Sequence, residues 1–564
     1  MRFSDMAYQR PDFDELESHF RQKIDALVNA GSANSQADII GEINLIREDV
    51  DTAMSLARIR QTIDTRDVFY DGESSFFDEN SPRYQALIDE YYKALTSSPF
   101  RQELENGLGS RLFALAEAAQ KTFKPEIMED LAEENRLCTE YMKLLASAQI
   151  DFDGRKLNLS GLGPYRESSN RETRRLASEA YFGFLSQNRQ KLDSIYDSLV
   201  HVRNSMAGKL GFENFIPLAY LRMSRLDYDA PMVHNYRDSI KQTILPVANA
   251  LREDQRIRLN LEHLYYYDLP FRFNTGNPKP LGSAQDIIYR GKEMYHALSE
   301  ETAQFIDRML DEGLMDLETR TGKAGGGYCS WIPRYKAPFI FSNFNGTSGD
   351  VDVLTHEAGH AFQAHMSRGF DIPEYVWPTM EAAEIHSMSM EFITWPWMEW
   401  FFGPEADKYR FMHLSDALMF IPYGALVDEF QHVVYANPGL SPKERFTVWR
   451  ELEKKYLPYR DFTGNTYLEE GGFWQSQRHI YEAPFYYIDY TLAQVCAIQY
   501  WERFREDRGS AWSYYLSLCK AGGSAAFLEL VRIGGLESPF EPGVLEGAVQ
   551  PVREWLSRTD SSKF

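Results

Sequence analysis

Residues 351–366 read VDVLTHEAGHAFQAHM, and three of these side chains are spaced for metal chemistry. His356 and His360 are four apart, and residues at that spacing share one helix face with Cβ atoms about 6 Å apart. Two imidazoles so placed reach a single zinc ion, each nitrogen at about 2.1 Å. Glu357 projects roughly 100° further around the axis, poorly placed to ligate but within reach of a water on the metal. A catalytic zinc ion takes three protein ligands and keeps one position open. Downstream, WPTMEAAEIHSMSMEFITWPWMEW (377–400) is helical by pattern and offers Glu381, Glu384 and Glu391. Glu384 and Glu391, seven apart, share a face, and Glu381 and Glu384, three apart, are neighbours, so spacing alone leaves the choice open. The small residues around Glu384, with Met388 and Phe392 beyond, mark a buried helix in which an acid needs a partner.

The elements that must position these groups are mostly helices. Runs such as GKEMYHALSEETAQFIDRMLDEGL (291–314) set apolar residues three and four apart. Thr347 and Ser348 are suited to cap the histidine-bearing helix, and Asp350 and Asp352 suit the positive end of its dipole. Gly359 sits inside that helix at a cost of roughly 1 kcal/mol against alanine, which points to a closely packed neighbour. The clearest strand is APFIFSNF (337–344), between GKAGGGYCSW (322–331) and the turn NGTSGD (345–350). Gly, Pro and Asn concentrate at 152–170, which divides an N-terminal helical region (1–160) from a larger helical body (161–564). A second such stretch, 270–283, reads as a long loop within that body. The closing RTDSSKF reads as a frayed tail.

Composition narrows the partners. Acidic residues outnumber basic ones 83 to 60, for a net charge of -23, which argues against nucleic acid or an anionic membrane, since both draw clustered Lys and Arg. The opening MRFSDMAYQRPDFDELESHF lacks the apolar stretch of a secretory signal, and no window approaches a membrane span. Cys138, Cys329, Cys496 and Cys519 lie far apart with no C-x-x-C pair, the pattern of reduced thiols in the cytoplasm.

HEAGH followed 24 residues later by the first glutamate of EIHSMSME resembles the thimet oligopeptidase and oligoendopeptidase F family of zinc metallopeptidases, which carry E-x-x-S-x-x-x-E after their H-E-x-x-H helix. RTGKAGGGYCSW upstream and HIYEAPFYYIDYTLAQ downstream also resemble that family, and the likeness runs over roughly residues 200 to 540. It is nearest to bacterial oligoendopeptidase F-like enzymes, including Pz-peptidases that cut collagen-derived peptides. The resemblance implies a mostly α fold: a large, clam-shaped, zincin-like helical peptidase with a small β-sheet beside the metal-binding helix. It implies one Zn²⁺ held by His356, His360 and Glu384, Glu391 orienting a ligand histidine, and short peptides as substrates. The first 150 residues carry no motif and are assigned to the helical upper region only by that analogy.

GGFWQSQRHIYEAPFYYIDYTL (471–492) has chemistry of its own. Gly471 and Gly472 permit a mobile loop, followed by His479 and, after Pro484, Tyr486, Tyr487 and Tyr490. Peptide hydrolysis puts negative charge on the former carbonyl oxygen, where preorganised imidazole and phenol donors are worth several kcal/mol. The family implies His479 and Tyr490 in that role; the spacing is a residue shorter than in mammalian members, which leaves Tyr486 and Tyr487 as alternatives beside Tyr490. The strand APFIFSNF is a candidate for holding substrate as an added strand near Asn343 to Gly346. His365 and His386 match no ligand and read as structural or surface residues. The expected activity is zinc-dependent endopeptidase cleavage, with Glu357 as the base. The competing enzyme is a metallocarboxypeptidase or dipeptidyl carboxypeptidase, which needs a cation for the substrate's terminal carboxylate. More distant is a non-catalytic zinc-containing peptide-binding protein, which needs a fourth Cys or His ligand that is not found nearby. No pattern sets an oligomeric state.

Overall fold

The structure is a computed structural model that describes residues 1–564. It is mostly helical, as expected, with a two-stranded hairpin of β1 (Ile150–Phe152) and β2 (Arg155–Leu157) and one three-stranded sheet. That sheet holds β3 (Met315–Glu318), β4 (Tyr328–Ile332) and β5 (Ala337–Phe344) in the order β3-β5-β4, with β3 parallel and β4 antiparallel to β5.

Local chemistry explains where helices start. The run 291–314 is not one helix but the end of one, Ala284–Leu298, and the whole of another, Glu300–Asp311. Ser299 breaks it by capping the second helix, as Ser283 caps the first: each accepts from the backbone N–H three residues on, and Thr302 and Asp286 accept in turn from the cap's own N–H. Helix Gly349–Ser367, which carries the histidines, is capped differently from expectation. Neither the Thr347 nor the Ser348 side chain caps the first turn; instead the Asp350 carboxylate accepts from the N–H groups of Asn345 (2.9 Å) and Gly346 (2.8 Å). Asp352 turns inward onto the Tyr409 hydroxyl at 2.5 Å.

Residues 13–116 build an apolar cluster around Phe20, Ile43, Tyr91 and Leu112, joined by Ile372 and Tyr375 from the larger body. The main core gathers around Trp449, Trp474 and Trp501, and it already includes Leu137, Tyr141 and Leu144 of helix Met128–Ala146. Helix Ala33–Ile63 spans both: its later turns place Leu56 and Ile59 in the main core, Ser55 Oγ donates to the Trp331 carbonyl (3.0 Å), and Arg334 N–H donates to Thr52 Oγ1 (2.9 Å). No helix is long and apolar enough to cross a membrane.

Three helices and the sheet frame the site. Gly349–Ser367 packs against β5 and against Met380–Ile393, which in turn packs along Tyr487–Glu506. Gly359 allows the contact with Met380–Ile393: a Cβ there would lie 2.6 Å from both the His386 carbonyl oxygen and the Ser387 Cα. Gly471 and Gly472 are packing residues rather than a mobile hinge. A Cβ on Gly471, which has φ +107, would meet the Phe446 carbonyl oxygen at 2.1 Å, and one on Gly472 would strike the Tyr467 ring at 2.5 Å.

Candidate active site

His356, His360 and Glu384 converge. His356 Nε2 and His360 Nε2 stand 3.2 and 3.3 Å from the same oxygen, Glu384 Oε2. The three donor atoms lie within 4.8 Å of one another. Ligands held tetrahedrally at zinc's usual distances are about 3.3–3.5 Å apart, so the donor set and its spacing fit that ion. The supporting bonds leave the right lone pairs free. His356 Nδ1 is 2.7 Å from Glu391 Oε1, which puts the ring proton on Nδ1 and leaves Nε2 to ligate. Ser387 Oγ donates to Glu384 Oε2 (2.8 Å), and the Tyr486 hydroxyl donates to Glu384 Oε1. Glu381 is elsewhere: it is fully buried, neither carboxyl oxygen has a hydrogen-bond partner, and burial pushes its pKa up to about 7 despite the field of Arg225.

Glu357 shares the cavity but not the cluster. Its Oε2 is buried without a partner, and its Oε1 would lie 3.0 Å from a Cβ added to Gly327 on the sheet side. Burial raises its pKa, opposed by the two histidines, so the carboxylate holds a proton more readily than in water.

The segment after Gly472 supplies donors on the far side. The Tyr423 hydroxyl donates to Gln477 Oε1 (2.7 Å), which orients the amide so that its Nε2 donates to His479 Nδ1 (2.9 Å). His479 therefore carries its proton on Nε2, 3.2 Å from the Tyr490 hydroxyl. Burial, and then Arg478, push its pKa down to about 4, which keeps the ring neutral near pH 7. The Tyr486 and Tyr490 rings are 4.9 Å apart and both line the cavity. Burial, and then Glu384, hold both phenols protonated. Tyr487 packs away from the cavity against Phe420 and Tyr423, so of the two alternatives the fold brings Tyr486 to Tyr490.

These groups line one cavity of about 650 Å³, with residues 325–330 on one wall and Ile59 and Thr62 of the N-terminal region on another. The sequence expectation for the sheet is corrected here. β5 is the central strand, bonded on both sides, and Asn343 spends its amide on the carbonyls of Ala324 and Gly326. The edge that lines the cavity is β4. Pro338, opposite Trp331, has no N–H, and Trp331 turns its carbonyl outward to Ser55, so by alternation Cys329 also directs its backbone groups away from β5. His365 and His386 are buried rather than exposed, and burial lowers their pKa values to about 3 and about 4. Sequence reasoning missed Gln477, which bridges Tyr423 and His479, and His413, whose Nε2 is 2.7 Å from Glu391 Oε2; partners 54 and 22 residues away leave no local pattern.

The family model described as peptidase family M3 matches residues 165–549, and that of the peptidase M3 N-terminal domain matches residues 3–123. A solved structure provisionally assigned as an oligoendopeptidase F is 56% identical to this chain, with a TM-score of 0.99 and 100% of both chains covered. Pz peptidase A, solved with an inhibitor, is 54% identical with the same TM-score, again over 100% of both chains. The oligoendopeptidase F homolog of Borreliella burgdorferi is 24% identical over 72% of this chain and 70% of its own length. One family model thus spans well over half of the chain and encloses the His356, His360 and Glu384 cluster, and the chain belongs to peptidase family M3, the metallo-oligopeptidases.

Proposed function

We propose that the chain is a zinc-dependent endopeptidase of short peptides, collagen-derived ones among them, working in the cytoplasm with one Zn²⁺ on His356, His360 and Glu384. The observation that carries this is an unpartnered Glu357 carboxylate beside the converged ligand set, in one cavity with the neutral donors His479 and Tyr490. The likeness to Pz peptidase A supports collagen-derived substrates, and four unpaired cysteines support a reducing compartment.

Zinc, when bound there, lowers the pKa of a water toward about 7 and polarises the scissile carbonyl. Glu357 takes the proton of the attacking water and passes it to the departing amine. The His479 Nε2–H and the Tyr490 hydroxyl donate to the developing oxyanion, Tyr486 beside them braces Glu384 through its hydroxyl, and Glu391 keeps His356 oriented. The backbone of Cys329 at the β4 edge pairs with the extended substrate, in place of the Asn343–Gly346 segment. The N-terminal region, residues 1–160 in this reading, supplies the facing wall.

The carboxypeptidase alternative has one point in its favour. Of the cavity's cations, Lys323 is consumed by Asp316 and three carbonyls, and Arg478 by Glu482 and the Gly325 carbonyl, but Arg58 makes no ion pair or hydrogen bond. An internally quenched peptide blocked at both ends decides. Cleavage that survives blocking supports the endopeptidase, and cleavage that requires a free C-terminus, and is lost in Arg58→Ala, overturns it.

A further inference from the structure

The hydrogen-bond chain behind His356 does not stop at Glu391. The second oxygen of that carboxylate, Oε2, is 2.7 Å from His413 Nε2, and His413 Nδ1 is 3.2 Å from the indole Nε1 of Trp395. An indole N–H can only donate. His413 Nδ1 must therefore offer its lone pair, and the ring's proton sits on Nε2, aimed at Glu391. A second proton on Nδ1 would point at the indole N–H, which opposes the pull of Glu391 toward the charged ring. Glu391 then accepts from two imidazoles at once, His356 through Oε1 and His413 through Oε2. The ring itself is fixed by packing, stacked on Tyr409 with centroids 5.6 Å apart and edge-on to Phe392 at 4.8 Å.

We propose that His413 is a positioning residue of the metal centre: by holding the second oxygen of Glu391, it fixes the carboxylate that orients His356 toward the metal. The physical reason lies in the carboxylate. The last torsion of a glutamate is broad and weakly restrained, so a single hydrogen bond leaves the plane free to turn. Bonds at both oxygens remove that freedom, and the Nδ1–H of His356 then has one direction in which to point. The proposal rests on the reading of His356, His360 and Glu384 as the ligands.

The test is zinc affinity of the full chain, measured by competition with a chromophoric chelator, in wild type, His413→Phe, His413→Gln, Glu391→Gln and the Glu391→Gln/His413→Phe double variant. Glutamine at 413 can accept from Trp395 through its oxygen and donate to Glu391 through its nitrogen. His413→Phe is expected to weaken zinc binding about tenfold, and His413→Gln to stay within about threefold of wild type. In the Glu391→Gln background, His413→Phe should add less than about twofold, because the path through Glu391 is already broken. Wild-type affinity in His413→Phe would overturn the proposal. So would a glutamine variant as weak as the phenylalanine one, or a full tenfold effect in the Glu391→Gln background. If wild type binds no zinc, or binds it undiminished after His356→Ala, the ligand reading itself has failed and the proposal falls with it.

Discussion

Glu357 and Glu384 are buried carboxylates beside the same two histidines, yet their surroundings differ. Glu384 is engaged at both oxygens, by Ser387 and the histidines on one and by Tyr486 on the other, whereas Glu357 Oε2 has no partner. A ligand needs to be fixed, and a proton carrier needs a free oxygen. Glu357→Gln should therefore cut kcat by about 10²–10⁴-fold with zinc stoichiometry unchanged. Retention of more than about a tenth of the activity would remove Glu357 from the base's role. Glu384→Ala should lose the metal, while Glu381→Gln should keep it, because Glu381 lies outside the donor cluster. Metal content by atomic spectroscopy separates the two, and the reverse pattern would make Glu381 the ligand. At this scale the sequence was informative for residues on one helix and less so across elements. The four-residue spacing of His356 and His360 survives any tertiary arrangement. The choice among Glu381, Glu384 and Glu391 depends on how a second helix is rotated, which spacing does not encode.

At the scale of elements, the helix pair beneath the site sets two effects against each other at Gly359. Alanine there would favour the helix by about 1 kcal/mol. Its Cβ would also sit 2.6 Å from backbone atoms of His386 and Ser387, and backbone atoms in a buried helix cannot swing aside as a flexible side chain does. Overpacking of this kind costs typically about 1–3 kcal/mol, so the clash wins. Gly359→Ala should lower the urea midpoint and weaken zinc binding, since Glu384 and Glu391 ride on the helix that is pushed away. An unchanged midpoint would mean that the two helices have slack. The need for a close neighbour could be read from glycine's poor helix propensity, but the identity of that neighbour could not. The edge strand shows the same limit. APFIFSNF is the most strand-like stretch because it is buried on both sides, and that same burial makes it the central strand, not the free edge. Tyr486 and Tyr487 were inseparable for a related reason. They stand at the start of one helix, and the turn at Phe485, with φ +67, decides which ring faces the cavity.

At the scale of the whole molecule, the N-terminal helices are joined to the catalytic body by polar contacts between residues far apart in sequence, and these leave no pattern to read. One deeply buried contact is built on Arg203. Its guanidinium donates to Glu134 Oε1 (2.6 Å), to the Tyr435 hydroxyl (2.8 Å) and to the Tyr481 carbonyl (2.6 Å), while Arg222 donates to the other oxygen of Glu134 (2.9 Å). Glu134 thus links helix Met128–Ala146 to the segment that leads into Tyr486. Burial alone would raise its pKa, but Arg222 and Arg203 outweigh that and hold it down to about 2, against an ordinary 4.5. A carboxyl whose pKa is lower folded than unfolded contributes stability in full above the unfolded value, and loses it as pH falls through the folded one. The contribution is on the order of 3 kcal/mol at neutral pH and fades between about pH 4.5 and pH 2. Glu134→Gln should therefore have a lower urea midpoint than wild type at pH 7, and the gap should narrow steadily below pH 4.5. A gap that stays constant down to pH 3 would show that the link does not depend on an ionised Glu134, and the joint between the two parts of the molecule would have to be sought in their apolar contacts.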